Sequence, residues 1–480
     1  MLSMPKRFIT GIMGFLAIVV AITMRECLSV AITEMVVPLK SFGRKNDSII
    51  CPIDNASSVR NSNYTSMDGT RYNWSQEQQG WILSSFYIGY VISHIPSGLL
   101  AEKFGGKWPM SLAVLILAIC TIATPMALQY GGYEVFIVLR ILMGLSSGTT
   151  YPGLSVILAA WIPQKERSKL GSIVLGGGQV GSIMSFYVTG LLLSIWPWQY
   201  IFYFWAIISI VWFIIFTLIC YNDPASHPYI SKEERDYLHK EIGQLKRHDV
   251  LTTPWKEILC SVPVLAYICA QIGQDFAAFI MSNDLPKYMK DVLGFSVYDV
   301  GFYSSLPYFI RWIMSIVSAF LCDFLINRNY ISITQARKMF TFASGVIPAI
   351  FIVAASYAGC NRLLVVFWFV LAIGFFGCYY TGFRLNSLDL APNFAGSLMA
   401  LTNGIGALTG IAGPVFVGVM TPNSSLEEWR YVFWVTFCIS MVRIVIYMIW
   451  GSAEIQSWND PRESKSSEIN TTKEDLLIKT

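Results

Sequence analysis

Long apolar stretches alternate with short polar ones along almost the whole chain. A bilayer-spanning helix needs about 20 apolar residues, and twelve stretches approach or exceed that length. They lie at residues 8–37, 79–101, 107–127, 133–160, 169–193, 198–220, 261–285, 299–322, 338–357, 361–384, 396–420 and 429–451. The pattern predicts an all-α integral membrane protein with twelve transmembrane helices.

A polar segment in the middle of the chain separates six apolar stretches from the other six. We predict an N-terminal six-helix half at 1–220, a cytoplasmic linker at 221–260, a C-terminal half at 261–451 and a cytoplasmic tail at 452–480. The linker contains "SKEERDYLHKEIGQLKRHD", in which Ser231 and Glu234 have the spacing of a capping box. This segment is predicted to be a surface helix, and a disordered linker is the alternative because its apolar face is thin.

Composition supports a membrane protein and argues against an enzyme. Hydrophobic residues make up 54% of the chain and charged residues only 13%, about half the charge typical of soluble proteins. The net charge of +4 does not suggest a nucleic-acid partner. We find no nucleotide-binding loop, metal cluster or nucleophile motif, and "GGGQVG" lies inside a predicted span and not after a strand.

The distribution of basic residues predicts the orientation in the membrane. Cytoplasmic loops are enriched in Lys and Arg. The loops that become cytoplasmic in this orientation carry Lys103, Lys107, Lys165, Arg167, Lys169, Arg328, Arg337 and Lys338, whereas "LQYGGYE" and "SIWPWQ" carry none. Because the number of predicted spans is even, both termini are expected in the cytoplasm.

The loop at 40–77 is predicted to be a glycosylated outer loop. It holds four N-x-S/T sequons, at Asn46, Asn55, Asn63 and Asn73. Only Cys51 and Cys360, of the 10 cysteines, fall in loops predicted to lie outside, so a disulfide between them is a candidate. The other eight cysteines lie in or beside apolar segments and are expected to pack as small residues.

A short motif recurs in the two halves. Gly98, Glu102 and Lys107 lie between spans 2 and 3, and Ala319, Asp323 and Arg328 take the corresponding places between spans 8 and 9. Two related six-helix halves resemble the major facilitator superfamily. That resemblance implies a substrate site near the mid-plane between the halves and a rocking, alternating-access mechanism.

Several blocks are similar to one family within that superfamily. They are "ITMRECLSVAI", "GYVISHIPSGLLAEKFGGK", "LRILMGLSSGTTYPG", "LPKYMKDVLGFS", "RLNSLDLAPNFAGSLMALTNGIGALTGIAGP" and "AEIQSW". These blocks resemble the family of sodium–phosphate cotransporters, sialin and vesicular glutamate transporters, and most of all its insect inorganic phosphate cotransporters. The resemblance extends from about Pro5 to Trp458.

The resemblance implies that two intramembrane arginines bind the anion. Arg25 and Arg140 occupy positions that face the central cavity in the family. A guanidinium holds phosphate or carboxylate through two parallel hydrogen bonds. The alternative for Arg25 is a structural ion pair with Glu26, although neighbours on a helix point about 100° apart and need not neutralise each other. Tyr87 and Asn386 are expected to bond the remaining substrate oxygens.

Other polar positions are candidates for ion coupling or for lining the cavity. Relatives usually have glutamate where this chain has Ser147, which weighs against proton coupling at that position; Glu26 is the candidate replacement. In span 7, Gln274 and Asp275 retain polarity, and Asp275 is predicted either to help hold Na⁺ or to pair with Arg140 or another arginine. His94 is a candidate to line the cavity and titrate, with a packing role as the alternative.

Further arginines lie in the apolar segments of the second half, among them Arg311, Arg384 and Arg443. Arg311 and Arg443 are expected to anchor helices, and Arg384 has no counterpart in the family to which a role can be assigned.

These observations lead to three functional hypotheses. The first is a secondary transporter that carries inorganic phosphate inward with Na⁺ as co-substrate and with no other cofactor. The second is a carrier of an organic anion, such as a glutamate- or sialate-like carboxylate, driven by protons or by membrane potential. The third is a paralogue that has lost transport and acts as a sensor or partner protein. The plasma membrane is the expected location, and "KEDLLIKT" keeps an endosomal or vesicular membrane open because it resembles a dileucine sorting signal.

Overall fold

Helices form nearly all the regular structure in the computed structural model, which describes residues 5–37, 70–163, 170–171, 173–242 and 253–459. The α-helices, in chain order, are α1 (Lys6–Met35), α2 (Gln76–Phe104), α3 (Lys107–Ser147), α4 (Thr150–Trp161), α5 (Gly177–Leu193), α6 (Trp198–Ile219), α7 (Lys232–Ile242), α8 (Trp255–Cys260), α9 (Val262–Asn283), α10 (Leu285–Asp291), α11 (Val297–Asn327), α12 (Ile333–Tyr357), α13 (Arg362–Phe375), α14 (Asn386–Leu390), α15 (Ala395–Ala407), α16 (Thr409–Met420) and α17 (Leu426–Trp450). Short 3₁₀ turns at Phe376–Tyr379 and Phe383–Leu385 connect α13 to α14.

The predicted helical membrane fold is present, but the predicted number of spans is not established. Within the described residues, nine helical segments are long and apolar enough to cross a membrane. One of them, Lys107–Trp161, is 55 residues long and covers predicted spans 3 and 4. The backbone folds back inside it at Gly132, where φ is 67° and ψ is −157°, a conformation that glycine adopts without strain. Helices α2 and α5, at predicted spans 2 and 5, are not among the nine, so twelve spans remain a prediction.

Each half packs mainly on itself. In the first half, α1–α6, α1 packs on α5 and α6, and α3 packs on α2 and α6. In the second half, α9–α17, α17 packs on α9 and α12, and α13 packs on α11 and α12. The apolar faces of these helices form separate hydrophobic clusters in the two halves, with few shared members.

The most extensive contacts between the halves, among the described residues, are the crossings of α5 with α11 and of α2 with α16. A Cβ added to Gly190 of α5 would lie 2.6 Å from the Cα of Gly301 in α11, so only glycine permits this approach. A Cβ on Gly80 of α2 would lie 2.5 Å from the carbonyl oxygen of Pro414 in α16. These approaches lie at the end of the molecule where α1 stops and α2 begins, which we call the closed end.

Helices near the opposite end do not cross so closely. An added Cβ on Gly98 of α2 or on Gly404 of α15 would meet no atom within 4 Å. The halves therefore pack tightly at the closed end and leave more space beyond it.

The central polar segment forms a helix that contacts the start of α1. Helix α7 begins after Ser231, whose Oγ accepts a hydrogen bond of 3.2 Å from the Glu234 backbone N–H. The Glu234 carboxylate does not complete the expected capping box by bonding back to Ser231. It accepts bonds of 2.9 and 3.0 Å from the backbone N–H groups of Lys6 and Arg7. Helix α1 has no side-chain cap of its own, so this distant carboxylate satisfies its first N–H groups.

Parts of the predicted outer loop and tail lie outside the described residues. These parts include Asn46, Asn55, Asn63 and Cys51. Asn73 is described and exposed, and Cys360 is disulfide-bonded. Glycosylation, the Cys51–Cys360 pairing and the division into 1–220, 221–260, 261–451 and 452–480 remain predictions.

Candidate functional site

Arg25 and Glu26 form an ion pair inside the helix bundle. Their atoms Nη2 and Oε1 are 2.7 Å apart, and their side chains are 19% and 4% exposed. The expectation that neighbours on a helix need not neutralise each other is wrong here, because the long arginine side chain bends back to the carboxylate. The Arg25 guanidinium carbon also lies 6.0 Å from the centre of the Tyr87 ring. Arg25 is thus held in place by two side chains of the first half.

Arg140 is buried without an anionic partner. Its side chain is almost inaccessible, at 3%, and it makes no ion pair or hydrogen bond with any described residue. Its guanidinium carbon lies 5.1 Å from the centre of the Phe86 ring. The charges of Arg25 and Arg140 act on each other and on Tyr87. An uncompensated charge at this depth is costly, and such a group is a binding-site candidate by default.

Tyr87 lies where the two halves meet. Its ring is 4.7 Å from that of Phe279 in α9, and its hydroxyl oxygen accepts a hydrogen bond of 3.4 Å from Asn283 Nδ2. The ring also packs against Gly410 of α16, where an added Cβ would be 2.6 Å from a ring carbon. Tyr87 therefore connects the closed end to the arginines of the first half.

Ser147 and His94, the remaining first-half candidates, make fewer polar contacts. Ser147 is buried, at 7% exposure, and makes no hydrogen bond with the described residues. It supplies no carboxylate to Arg140. His94 is half-buried, its Nδ1 has no hydrogen-bond partner, and its ring lies 5.3 Å from that of Tyr90. The charge of Arg384 acts on His94 across the two halves.

Arg311 is the counterpart of these arginines in the second half. Its guanidinium carbon lies 5.6 Å from the Tyr379 ring centre and 5.9 Å from that of Tyr380. It makes no hydrogen bond or ion pair in the described part of the chain, and its buried Nε lacks a partner. The Tyr380 hydroxyl accepts a hydrogen bond of 2.7 Å from Gln179 Nε2 of α5. The Arg311 environment is therefore linked directly to the first half.

Asp275 and Arg384 complete the charged groups of this region. Asp275 Oδ2 accepts a hydrogen bond of 2.7 Å from Gln271 Nε2, and Arg384 donates to Asn403 Oδ1. Asp275 is not paired with Arg140 or Arg311, but its charge acts on Arg384 and Arg311. We define the central cluster as the charged side chains Arg25, Glu26, Arg140, Asp275, Arg311 and Arg384.

Two predicted positions lie apart from the central cluster. Gln274 Oε1 accepts a hydrogen bond of 2.8 Å from Arg443 Nη2, and Gln274 is only 1% exposed. This bond holds α9 against α17, and the role of Gln274 in coupling or in lining the cavity remains a prediction. Asn386 is fully buried, and both of its amide atoms lack hydrogen-bond partners among the described residues, the arginines included. Its proposed role with the substrate remains a prediction.

The sequence prediction assigned Arg311 to helix anchoring and gave Arg384 no role. The signal was present, since any arginine within an apolar span is a candidate functional group. Arg443, which was also predicted to anchor helices, does so: it bonds to Gln274 and to the carbonyl oxygens of Ala270 and Ser344. What distinguishes Arg311 is the absence of such acceptors around it. The described residues contain no group of three or more His, Cys, Asp or Glu that could hold a metal ion.

Comparison with known proteins identifies relatives along most of the chain. The family model described as Major Facilitator Superfamily matches residues 14–414. Human sialin is 34% identical over 453 residues, which cover 94% of this chain and 90% of sialin. A putative inorganic phosphate cotransporter of Drosophila ananassae is 34% identical over 465 residues, with 94% of each chain covered. Human vesicular glutamate transporter 2 is 31% identical over 479 residues, covering 99% of this chain and 79% of the transporter.

Solved structures agree on the fold. A D-xylose–proton symporter superposes with a TM-score of 0.68 at 13% identity, covering 93% of this chain and 98% of the symporter. A bacterial homologue of the human lysosomal transporter Spinster, in an inward-facing and occupied conformation, has a TM-score of 0.68 at 14% identity, covering 93% of this chain and 97% of its own. The predicted fold class and family resemblance are confirmed.

Proposed function

Because this chain belongs to the major facilitator superfamily, and within it to the family of sialin, the vesicular glutamate transporters and the insect inorganic phosphate cotransporters, we propose that it is a secondary active transporter of a small anion. The observation that carries the proposal is Arg140. It is a buried arginine that makes no ion pair or hydrogen bond with any described residue. An anion from solution supplies the missing partner.

Alternating access is the proposed mechanism. The two halves meet through glycine contacts at the closed end, and Gly98 and Gly404 have free space beyond it. Opening the crossings of α2 with α16 and of α5 with α11 would expose the central cluster at the closed end. The Tyr87–Asn283 and Gln179–Tyr380 hydrogen bonds connect the halves close to the cluster. They are the contacts through which a bound anion would affect the packing of one half on the other.

Inorganic phosphate, carried with Na⁺, is the proposed substrate pair. A phosphate has oxygens enough for two arginines and for neutral groups such as Tyr87 and Asn386. Proton coupling through a carboxylate on the Arg140 helix face is not available, because Ser147 occupies that position. The free carboxylate oxygens of the cluster belong to Glu26 and Asp275, and oxygen ligands suit Na⁺. The proposed location is the plasma membrane, with both termini in the cytoplasm.

An organic anion is the second candidate. The identities to sialin and to vesicular glutamate transporter 2 are close to the identity to the phosphate cotransporter. The ring of Tyr379 lies 4.1 Å from that of Tyr380, beside Arg311, and these rings offer an apolar surface for a carbon skeleton. A glutamate- or sialate-like carboxylate fits this arrangement, with its transport driven by protons or by membrane potential.

Uptake into proteoliposomes tests the proposal. Radiolabelled phosphate uptake is measured with an inward Na⁺ gradient and with Na⁺ replaced by choline, and empty liposomes give the background. We expect saturable, Na⁺-dependent uptake that Arg140→Gln abolishes. Uptake of labelled glutamate or sialate, but not phosphate, would support the second candidate. No uptake of any of the three anions, from folded protein, would support the non-transporting paralogue.

A further inference from the structure

The Arg311 guanidinium makes no hydrogen bond or ion pair with any described residue. Two tyrosine rings lie beside it, with their centres 5.6 and 5.9 Å from its guanidinium carbon. No described carboxylate or carbonyl oxygen bonds to it. Arg443 shows what a structural arginine looks like in the same half, because three neutral acceptors surround its guanidinium. Arg311 lacks every such acceptor.

Arg311 also lies close to the first half. Tyr380, whose ring centre is 5.9 Å from the Arg311 guanidinium carbon, accepts a hydrogen bond of 2.7 Å from Gln179 of α5. Tyr308, one helical turn before Arg311 on α11, is within range of the charges of both Arg25 and Arg311. The ring of Tyr308 stacks on that of Phe186 in α5 at 5.1 Å, so this part of α11 is held against the first half. A ligand between the halves would therefore meet arginines on both sides.

The charges of the central cluster do not balance. It contains four arginines and two carboxylates, a formal excess of two positive charges. Arg25 is ion-paired with Glu26, and Arg384 donates a hydrogen bond to Asn403. Arg140 in the first half and Arg311 in the second make no hydrogen bond or ion pair with any described residue. In a site of low effective dielectric, two uncompensated cations favour a ligand that carries two negative charges.

We propose that Arg311 binds the transported anion from the second half, so that one dianion bridges Arg140 and Arg311. The chemical class is a small divalent oxyanion or dicarboxylate, such as hydrogen phosphate or succinate. This inference rests on the proposed function, which assigned the charge of the anion only to the two first-half arginines. Because the dianion contacts both halves, its binding stabilises the conformation in which they close around it. A monovalent anion would leave one arginine uncompensated.

Ligand-dependent thermal unfolding of the purified full-length protein tests the proposal without requiring transport. The probes are sulfate and succinate as dianions, and nitrate and lactate as monoanions, at equal ionic strength. We expect the dianions to raise the melting temperature of the parent at concentrations at least tenfold lower than the monoanions. Arg311→Gln should weaken dianion binding about tenfold or more, as expected for loss of a charge-assisted hydrogen bond.

Arg328→Gln is the matched control, since it removes the same charge at the exposed end of α11, outside the central cluster. Its dianion binding should equal that of the parent. If Arg311→Gln does not fold, Arg311→Lys is the second variant and should keep part of the dianion affinity. Equal stabilisation of the parent by lactate and succinate would overturn the proposal, as would parental dianion binding by the folded Arg311 variant.

The same assay separates this inference from the proposed function. Dianion stabilisation that depends on Arg311, in a protein that does not take up phosphate, would support the bridging site while rejecting phosphate transport. Phosphate uptake by Arg311→Gln with an unchanged KM would support phosphate transport while rejecting the bridging site.

Discussion

Glu34 Oε1, on α1, lies 2.9 Å from Lys290 Nζ, on α10, and this ion pair joins the two halves at the closed end. Glu34 is shared, because its other oxygen lies 3.0 Å from Arg71 Nη2. The side chains are 21% exposed for Glu34 and 26% for Lys290, so water screens the pair only in part. The closed end is therefore held by charge as well as by close helix packing.

We expect a measurable coupling energy between Glu34 and Lys290. In a double-mutant cycle of Glu34→Gln and Lys290→Gln, the interaction energy should be about 0.2–1 kcal/mol, the range for partly exposed pairs. Thermal unfolding at low and high salt measures it, and the coupling should shrink at high salt. Glu34→Gln also removes the contact with Arg71, but it does so with and without the Lys290 substitution. That contribution therefore cancels in the cycle. Strict additivity at low salt would argue against the pair.

The two first-half arginines should contribute unequally to substrate affinity. Arg140→Lys keeps the charge but loses the planar fork, so phosphate KM should rise about tenfold. Arg25→Lys should have a smaller effect, because Arg25 also pairs with Glu26. Initial uptake rates at equal surface abundance measure both values, and Arg235→Lys in the exposed α7 is the control. Parental kinetics in both cluster variants would exclude a two-arginine site.

Transport should depend only weakly on a proton gradient. The reason is that Ser147, seven residues after Arg140 in the chain, carries a hydroxyl and no carboxylate, and a hydroxyl does not titrate in this pH range. Phosphate uptake at fixed Na⁺ is measured from mildly acid to neutral pH and corrected for the ionisation of phosphate itself. A steep residual pH dependence that Glu26→Gln removes would mean that Glu26 has taken over the coupling.

Gln274 should matter for stability and not for substrate affinity. Gln274→Leu removes an acceptor from the buried Arg443 guanidinium, which should cost about 1–3 kcal/mol of unfolding free energy. The phosphate KM should stay unchanged, because Gln274 lies apart from the central cluster. Thermal unfolding and uptake kinetics on the same preparation provide the two readouts. A change in KM without loss of stability would instead support a role for Gln274 in substrate binding.

The Glu234 cap on α1 is also testable. Glu234→Ala should lower the unfolding free energy by about 0.5–2 kcal/mol, the usual cost of losing an N-cap. Glu233→Ala is the matched control, since Glu233 is exposed, adjacent, and not bonded to α1. Chemical or thermal unfolding of the two variants gives the comparison. Equal stability of both would show that the backbone of Lys6 and Arg7 is satisfied by water.

Hydropathy and resemblance together were enough to predict the helical membrane fold and the superfamily. They were not enough to predict which charges are compensated. That Arg25 pairs with Glu26, and that Arg443 finds three acceptors while Arg311 finds none, depends on side-chain reach and on contacts between distant helices. No local pattern records such contacts. The sequence predicted a short loop around Gly132. In the structure the helical stretch is interrupted there only by the non-helical backbone of Gly132 itself.

The position of Glu234 has a consequence for synthesis at the ribosome. Its carboxylate and the backbone of Lys6 are 228 residues apart in the chain. Helix α1, which carries Arg25, therefore lacks its cap until translation has passed all the helices of the first half. The chain is synthesised from its N-terminus at several residues per second. The first turn of α1 therefore remains without this cap for many seconds. Closure of this contact marks the point in biogenesis at which the first half is complete.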